Sequence, residues 1–155
     1  MDTEKLLKLL NENRVDYIII GAMAFPVYGY ARATLDIDIF VRPVEENLRR
    51  LKSALQAFGY DLTDITLENL LNYKVLIRQY DVETDIHPFV KGVKFEELWS
   101  NKIRSKFGET KVYFPSLGDM IKMKTAAGRV KDLEDLKYLR KIQKQRKRRS
   151  RKKTP

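Results

Sequence analysis

Residues 17–41, YIIIGAMAFPVYGYARATLDIDIFV, carry the pattern on which the reading of the fold turns. The apolar, β-branched run 17–20 stops abruptly at Gly21, and 36–41 then alternates acidic and apolar side chains with period two. The sequence reads as strand, tight glycine turn, short helix, second strand. On the second strand Asp36, Asp38 and Phe40 share one face, and Ile37, Ile39 and Val41 share the other. One face can enter a core while the other holds two carboxylates side by side. Like charges at that spacing repel unless a cation lies between them, and a divalent metal is the simplest remedy. Gly21 and Ala22 open the intervening helix, whose first N–H groups lack intrahelical partners and form a ready site for phosphate oxygens. Pro26 removes a backbone donor, so that helix is expected to be short or kinked and to end near Gly29.

Length and composition bound the rest. The chain has 155 residues, 43% of them apolar, which suits one globular domain with a proper core. Without cysteine there is no disulfide, thiol catalysis or cysteine-bound zinc, and a single histidine argues against an imidazole-built metal site. Any metal should therefore be a hard ion held by oxygens. No apolar run is long enough to span a bilayer and no leader-like segment opens the chain, so a cytoplasmic protein is expected. The net charge is +10, and nine Lys/Arg with no acid lie in 141–155, which leaves +1 for residues 1–140. The expectation is a domain over 1–140 followed by a basic tail, 141–155, that is frayed or disordered.

Working outward, residues 3–13 place Leu6, Leu7, Leu9 and Leu10 on one broad face and predict a covering helix. The first strand, apolar on both faces, is expected to be central in its sheet. Val44, Leu48, Leu51, Leu55 and Phe58 recur at helical spacing up to Gly59, and Thr66 offers a cap for a short helix through Leu71. Residues 74–79 and 82–89 read as two strands joined at Tyr80 and Asp81, with Glu83, Asp85 and His87 on one face of the second. A helical turn over 94–99, a hairpin of 101–106 with 110–114 about Gly108, and helices from Ser116 to about Ala127 and from about Val130 complete the pattern.

In combination these residues resemble a known family. Gly21-Ala22 after a strand, thirteen further residues, then Asp36-Ile37-Asp38 on the next strand is similar to the minimal nucleotidyltransferases of the DNA polymerase beta superfamily. The fuller run of Gly21, Ala24, Tyr28, Gly29, Arg32, Thr34, Asp36 and Asp38 looks most like the branch that holds AbiEii-type abortive-infection toxins and lincosamide-type antibiotic nucleotidyltransferases. Residues 124–136, with Lys124, Arg129, Asp132 and Asp135, resemble the helical segment that closes the active site in that family.

The resemblance implies an α/β (α+β) fold, with a mixed β-sheet nucleotidyltransferase core flanked by helices. It implies an NTP as substrate, Mg²⁺ or Mn²⁺ as cofactor, and transfer of a nucleoside monophosphate to an acceptor. The family's third acid lies between apolar residues on a following strand, which Asp85 matches. Asp36, Asp38 and Asp85 would then be the catalytic and metal-binding carboxylates, with Glu83 as the substitute for Asp85. Gly21, Ala22, Arg32, Thr34, Lys124 and Arg129 are the implied nucleotide-binding residues. Ala22 stands where many relatives carry Ser or Gly, so only backbone donors remain there.

Several assignments stay open on sequence alone. Arg32 can clamp a phosphate or pair with an acid, and Lys124 and Arg129 can bind phosphate or serve as helix charges. His87 suits a structural hydrogen bond beside Asp85, and Asp132 and Asp135 suit structural partners at a helix start. Modification of a tRNA or protein in a toxin-antitoxin-like system, with a partner protein, is the first expectation for the acceptor. Antibiotic modification and a non-catalytic nucleotide- or RNA-binding module are the alternatives. The basic tail is a candidate RNA contact.

Overall fold

The computed structural model describes residues 2–30 and 36–152. In chain order the elements are α1 (Thr3–Glu12), β1 (Tyr17–Ile20), a 3-10 helix (Gly21–Tyr28), β2 (Asp36–Val41), α2 (Glu45–Phe58) and α3 (Leu67–Asn72). They continue as β3 (Val75–Ile77), β4 (Glu83–His87), α4 (Phe95–Asn101), β5 (Ile103–Phe107), β6 (Thr110–Phe114), α5 (Leu117–Ala127) and α6 (Val130–Lys152). The expected Arg32 and Thr34 fall outside the described residues.

The main sheet has the order β1-β2-β4-β3. β1 runs antiparallel to β2, β2 parallel to β4, and β3 antiparallel to β4, so the sheet is mixed. One face is apolar apart from the buried Thr84: Tyr17, Ile19, Ile37, Ile39, Val41 and Ile86 join Leu6, Leu7 and Leu10 of α1 and Leu48, Leu51, Leu55 and Phe58 of α2 in the principal core. The opposite face is divided. At one end Ile18, Ile20 and Phe40 pack under Phe95 and Leu98 of α4. At the other end the same face carries the acids of β2 and β4.

Local chemistry explains why the elements start and stop where they do. Asp2 caps α1 by accepting from the Lys5 N–H at 2.7 Å, and Thr66 and Asn69 form a reciprocal capping box on α3. Buried Asn47 on α2 accepts from the Asp16 N–H at 2.8 Å and donates to the carbonyls of Asp16 and Arg42, both at 3.0 Å. It therefore ties the entry of β1 and the exit of β2 to α2. Arg42 pairs with Asp16 at 2.9 Å and with Glu96, and its guanidinium lies 4.8 Å from the centre of the Phe95 ring. That anchors α4 over the sheet.

Two expectations are corrected. β1 is an edge strand of its sheet and not a central one, although all four of its residues are buried. Its burial comes from α1 and α2 on one face, α4 on the other, and β6, which packs close to it without joining its sheet. The basic segment, expected to be frayed or disordered from residue 141, continues α6 as helix through Lys152. Lys, Arg and Gln are good helix formers, cations at a helix C-terminus oppose its dipole, and extension of an existing helix avoids the nucleation cost.

Candidate active site

The parallel register of β2 and β4 builds the site. Asp36 lies opposite Glu83, Asp38 opposite Asp85, and Phe40 opposite His87, so two acids from each strand face the same side. Tyr60 fixes where β4 begins: its hydroxyl donates to the Val82 carbonyl and lies 3.0 Å from the buried Thr84 hydroxyl. A phenol has one hydrogen to give, so the Thr84 hydroxyl is the donor in the second contact. Asp36, Asp38 and Asp85 all line one cavity of about 500 Å³, together with Gly21, Ala22, Lys124 and Arg129. Seven of the nine residues expected at the site thus meet at one place.

Gly21 is needed there on two counts. Its φ of +73° belongs to the left-handed region, and a Cβ on it would stand 2.6 Å from Asp38 Oδ2. The turn out of β1 is therefore pressed against the Asp38 carboxylate. The 3-10 helix that follows has no side-chain cap at Ile20, and it ends at Gly29 in the left-handed conformation with Pro26 inside it. Gly21 and Ala22, the first two residues of this helix, line the cavity.

The acids are held by different partners. Asp38 Oδ1 accepts from His87 Nε2 at 2.8 Å; a carboxylate can only accept, so that nitrogen carries the hydrogen. Asp85 accepts from Arg78 Nη1 at 2.6 Å, and Arg78 Nε lies 3.4 Å from Glu83. The Glu83 carboxyl is pushed up from its ordinary pKa, first by the hydrogen bond it makes with Asp36, then by burial and the Asp36 charge; Arg78 works against that shift. Four carboxyl groups in adjacent register thus create a demand for positive charge, to which Arg78 contributes.

This all-oxygen donor set is chemically suited to a hard divalent ion. As the side chains stand, no three acidic or histidine groups among the described residues are gathered closely enough to hold one. Two of the expected ligands are already engaged, Asp38 with His87 and Asp85 with Arg78.

Across the cavity, Lys124 and Arg129 are not free cations. Lys124 Nζ lies 3.3 Å from Asp132 and 3.1 Å from Asp135, and it sits 5.2 Å from the centre of the Phe25 ring. Arg129 donates to Asp132 from its backbone N–H at 3.1 Å and from Nε at 2.7 Å. Those donors and Lys124 hold the buried Asp132 carboxyl down at about 2. The cluster clamps α5 to α6 and closes one wall of the cavity.

Sequence reasoning missed several residues that belong here. Arg78 follows β3 and meets Asp85 only through the β3–β4 pairing, which no local pattern reveals. Lys74, Lys91 and Lys131 also line the cavity, are exposed, and make no ion pair among the described residues. In sequence they look like any surface lysine. Phe89 lines the cavity as well and is 65% exposed.

A mixed sheet with helices on both sides, an acid pair on one strand and a third acid in register on its parallel neighbour define a nucleotidyltransferase fold. The chain belongs to the family described as nucleotidyltransferase of unknown function (DUF6036), whose model matches residues 2–144. No curated protein matches it. Among solved structures it is similar to a crystal structure described as a "putative nucleotidyltransferase" from Thermotoga maritima, with 17% sequence identity and a TM-score of 0.55, covering 91% of this chain and 89% of that one. At that identity the likeness concerns the fold. No helix among the described residues is long and apolar enough to cross a membrane.

Proposed function

We propose that this nucleotidyltransferase moves a nucleoside monophosphate from an NTP to an acceptor hydroxyl, with Mg²⁺ or Mn²⁺ held by Asp36, Asp38 and Asp85. The observation that carries this reading is the register of Asp38 against Asp85 on parallel strands, beside a glycine turn that touches Asp38. In the transfer the acceptor oxygen forms a bond to the α-phosphorus, the bond from that phosphorus to the β-bridging oxygen breaks, and pyrophosphate leaves. Divalent metal, when bound, supplies charge to stabilise the attacking and leaving oxygens. The backbone N–H groups at Gly21 and Ala22 take up phosphate oxygens, and Arg32 and Thr34 are the further nucleotide-binding residues that the resemblance implies. Lys74, Lys91 and Lys131 draw the triphosphate in, while Lys124 and Arg129 position the wall they share with Asp132. Asp85 assists removal of the acceptor's proton. His87 keeps Asp38 oriented by its hydrogen bond.

The acceptor favoured is a tRNA or a protein in a toxin-antitoxin-like system, with a partner protein, as the resemblance to the AbiEii and lincosamide branch implies. RNA is supported by the C-terminal half of α6, where Lys144, Arg146, Lys147, Arg148, Arg149, Arg151 and Lys152 are exposed in a stretch, 141–152, that contains no acid. The test is incubation with α-labelled and γ-labelled NTPs, Mg²⁺, and separate RNA and protein fractions. Label is expected to reach the acceptor from the α position only, and Asp38→Asn is expected to abolish it. Transfer from the γ position, or undiminished transfer by Asp38→Asn, would overturn the proposal.

A further inference from the structure

The Asp85 carboxylate is only 10% exposed, and a buried carboxylate without a cation or donors would be strongly disfavoured. Arg78 supplies that cation through Nη1 at 2.6 Å, yet its own side chain is 39% exposed and stands in the irregular segment between β3 and β4. We infer that Arg78 is a positioning residue that holds Asp85 in the metal-free enzyme and must yield it before a divalent ion can be bound. This rests on the metal-binding reading of Asp36, Asp38 and Asp85 given above.

Three features make the exchange a working device. The guanidinium already holds Asp85 Oδ1 and repels an incoming cation, so a metal ion approaching that carboxylate competes with Arg78 for its charge. Arg78 has somewhere to go, because its Nε already lies 3.4 Å from Glu83, which is 40% exposed. Glu83 is thereby given a role of its own: it retains Arg78 after Asp85 is released, and it need not ligate the metal. Finally, Arg78 keeps the metal-free site from collapsing, since Asp85 lies in register beside Asp38 and would otherwise face a second negative charge. The latch lowers apparent metal affinity and stabilises the enzyme while it waits for substrate.

Arg78→Gln keeps a polar side chain but removes the competing charge, and Arg78→Lys keeps the charge while losing the forked geometry. Mn²⁺ binding is read without nucleotide from the loss of the free-ion electron paramagnetic resonance signal, and melting temperature is followed with and without Mn²⁺. Arg78→Gln is expected to bind Mn²⁺ about tenfold tighter than wild type, the scale of one partly screened charge-assisted hydrogen bond, with Arg78→Lys between the two. The metal-free melting temperature of Arg78→Gln is expected to fall while the Mn²⁺-saturated one matches wild type. Equal or weaker Mn²⁺ binding by both variants, or equal melting losses with and without Mn²⁺, would overturn the latch while leaving the metal site standing. If wild type and both variants bind no Mn²⁺, the metal reading fails and the latch with it.

Discussion

Asp132 shows how a single side chain can serve the site without touching substrate. It is fully buried, receives three donors from Arg129 and one from Lys124, and has its carboxyl lowered from 3.8 to about 2. A depressed folded-state pKa stabilises the fold at pH values above the unfolded value, and the contribution disappears as pH falls through the folded one. A shift of that size corresponds to about 2 kcal/mol. Asp132→Asn should therefore cost about 2 kcal/mol at neutral pH, and the gap to wild type should close between pH 4 and pH 2. Denaturation curves taken across that range check it; a gap independent of pH would mean that Asp132 acts by shape alone. The aspartates of β2 were legible as a pair because period-two alternation puts them on one face, and Gly21 was legible because an apolar strand ends on it. Arg78 was not, since its partner lies seven residues on and across a strand pairing.

At the scale of elements, α2 is fixed to the sheet by a device smaller than its apolar face. Asn47 makes three hydrogen bonds to backbone groups of Asp16 and Arg42, all part-buried. Asn47→Ala leaves an N–H and two carbonyls without these partners and should cost about 2–3 kcal/mol in urea unfolding. A loss near zero would show that water replaces the side chain at no cost. Element types were largely readable: amphipathic spacing gave α1 and α2, Thr66 gave the start of α3, and Gly108 gave the hairpin turn, with φ of +58°. Positions in the sheet were less so. Burial of β1 on both faces was ambiguous between flanking strands and covering layers, and only the strand order, in which β1 pairs with β2 alone, settles it at the edge. The tail was misread because absence of apolar residues was weighed above its helix propensity and its continuity with packed Leu136 and Leu139.

The whole molecule separates an acidic cavity face from a basic helical rod. α6 begins at the cavity, where Asp132 and Asp135 line the wall, and its last turns are exposed on all sides. Removing residues 144–155 takes away eight positive charges and leaves a net charge of +2 from +10. The packing given up is confined among the described residues to interactions such as Arg146 over the Tyr28 ring at 5.2 Å, worth about 0.5–1 kcal/mol. The truncated protein should keep its metal and NTP site but bind RNA more weakly, and its log–log salt slope should flatten by roughly 0.7–0.9 for each phosphate it no longer neutralises. RNA titrations against salt for both forms measure this, and identical slopes would leave α6 without a part in acceptor binding. Catalysis as proposed depends on Asp36, Asp38 and Asp85 becoming one metal site. The most direct test is a crystal structure with Mn²⁺ and a non-hydrolysable NTP, using the anomalous signal of manganese. The expected result is an anomalous peak ligated by all three aspartates, with Arg78 drawn off Asp85; a peak elsewhere, or none while Asp85 remains paired with Arg78 and Asp38 with His87, would contradict it.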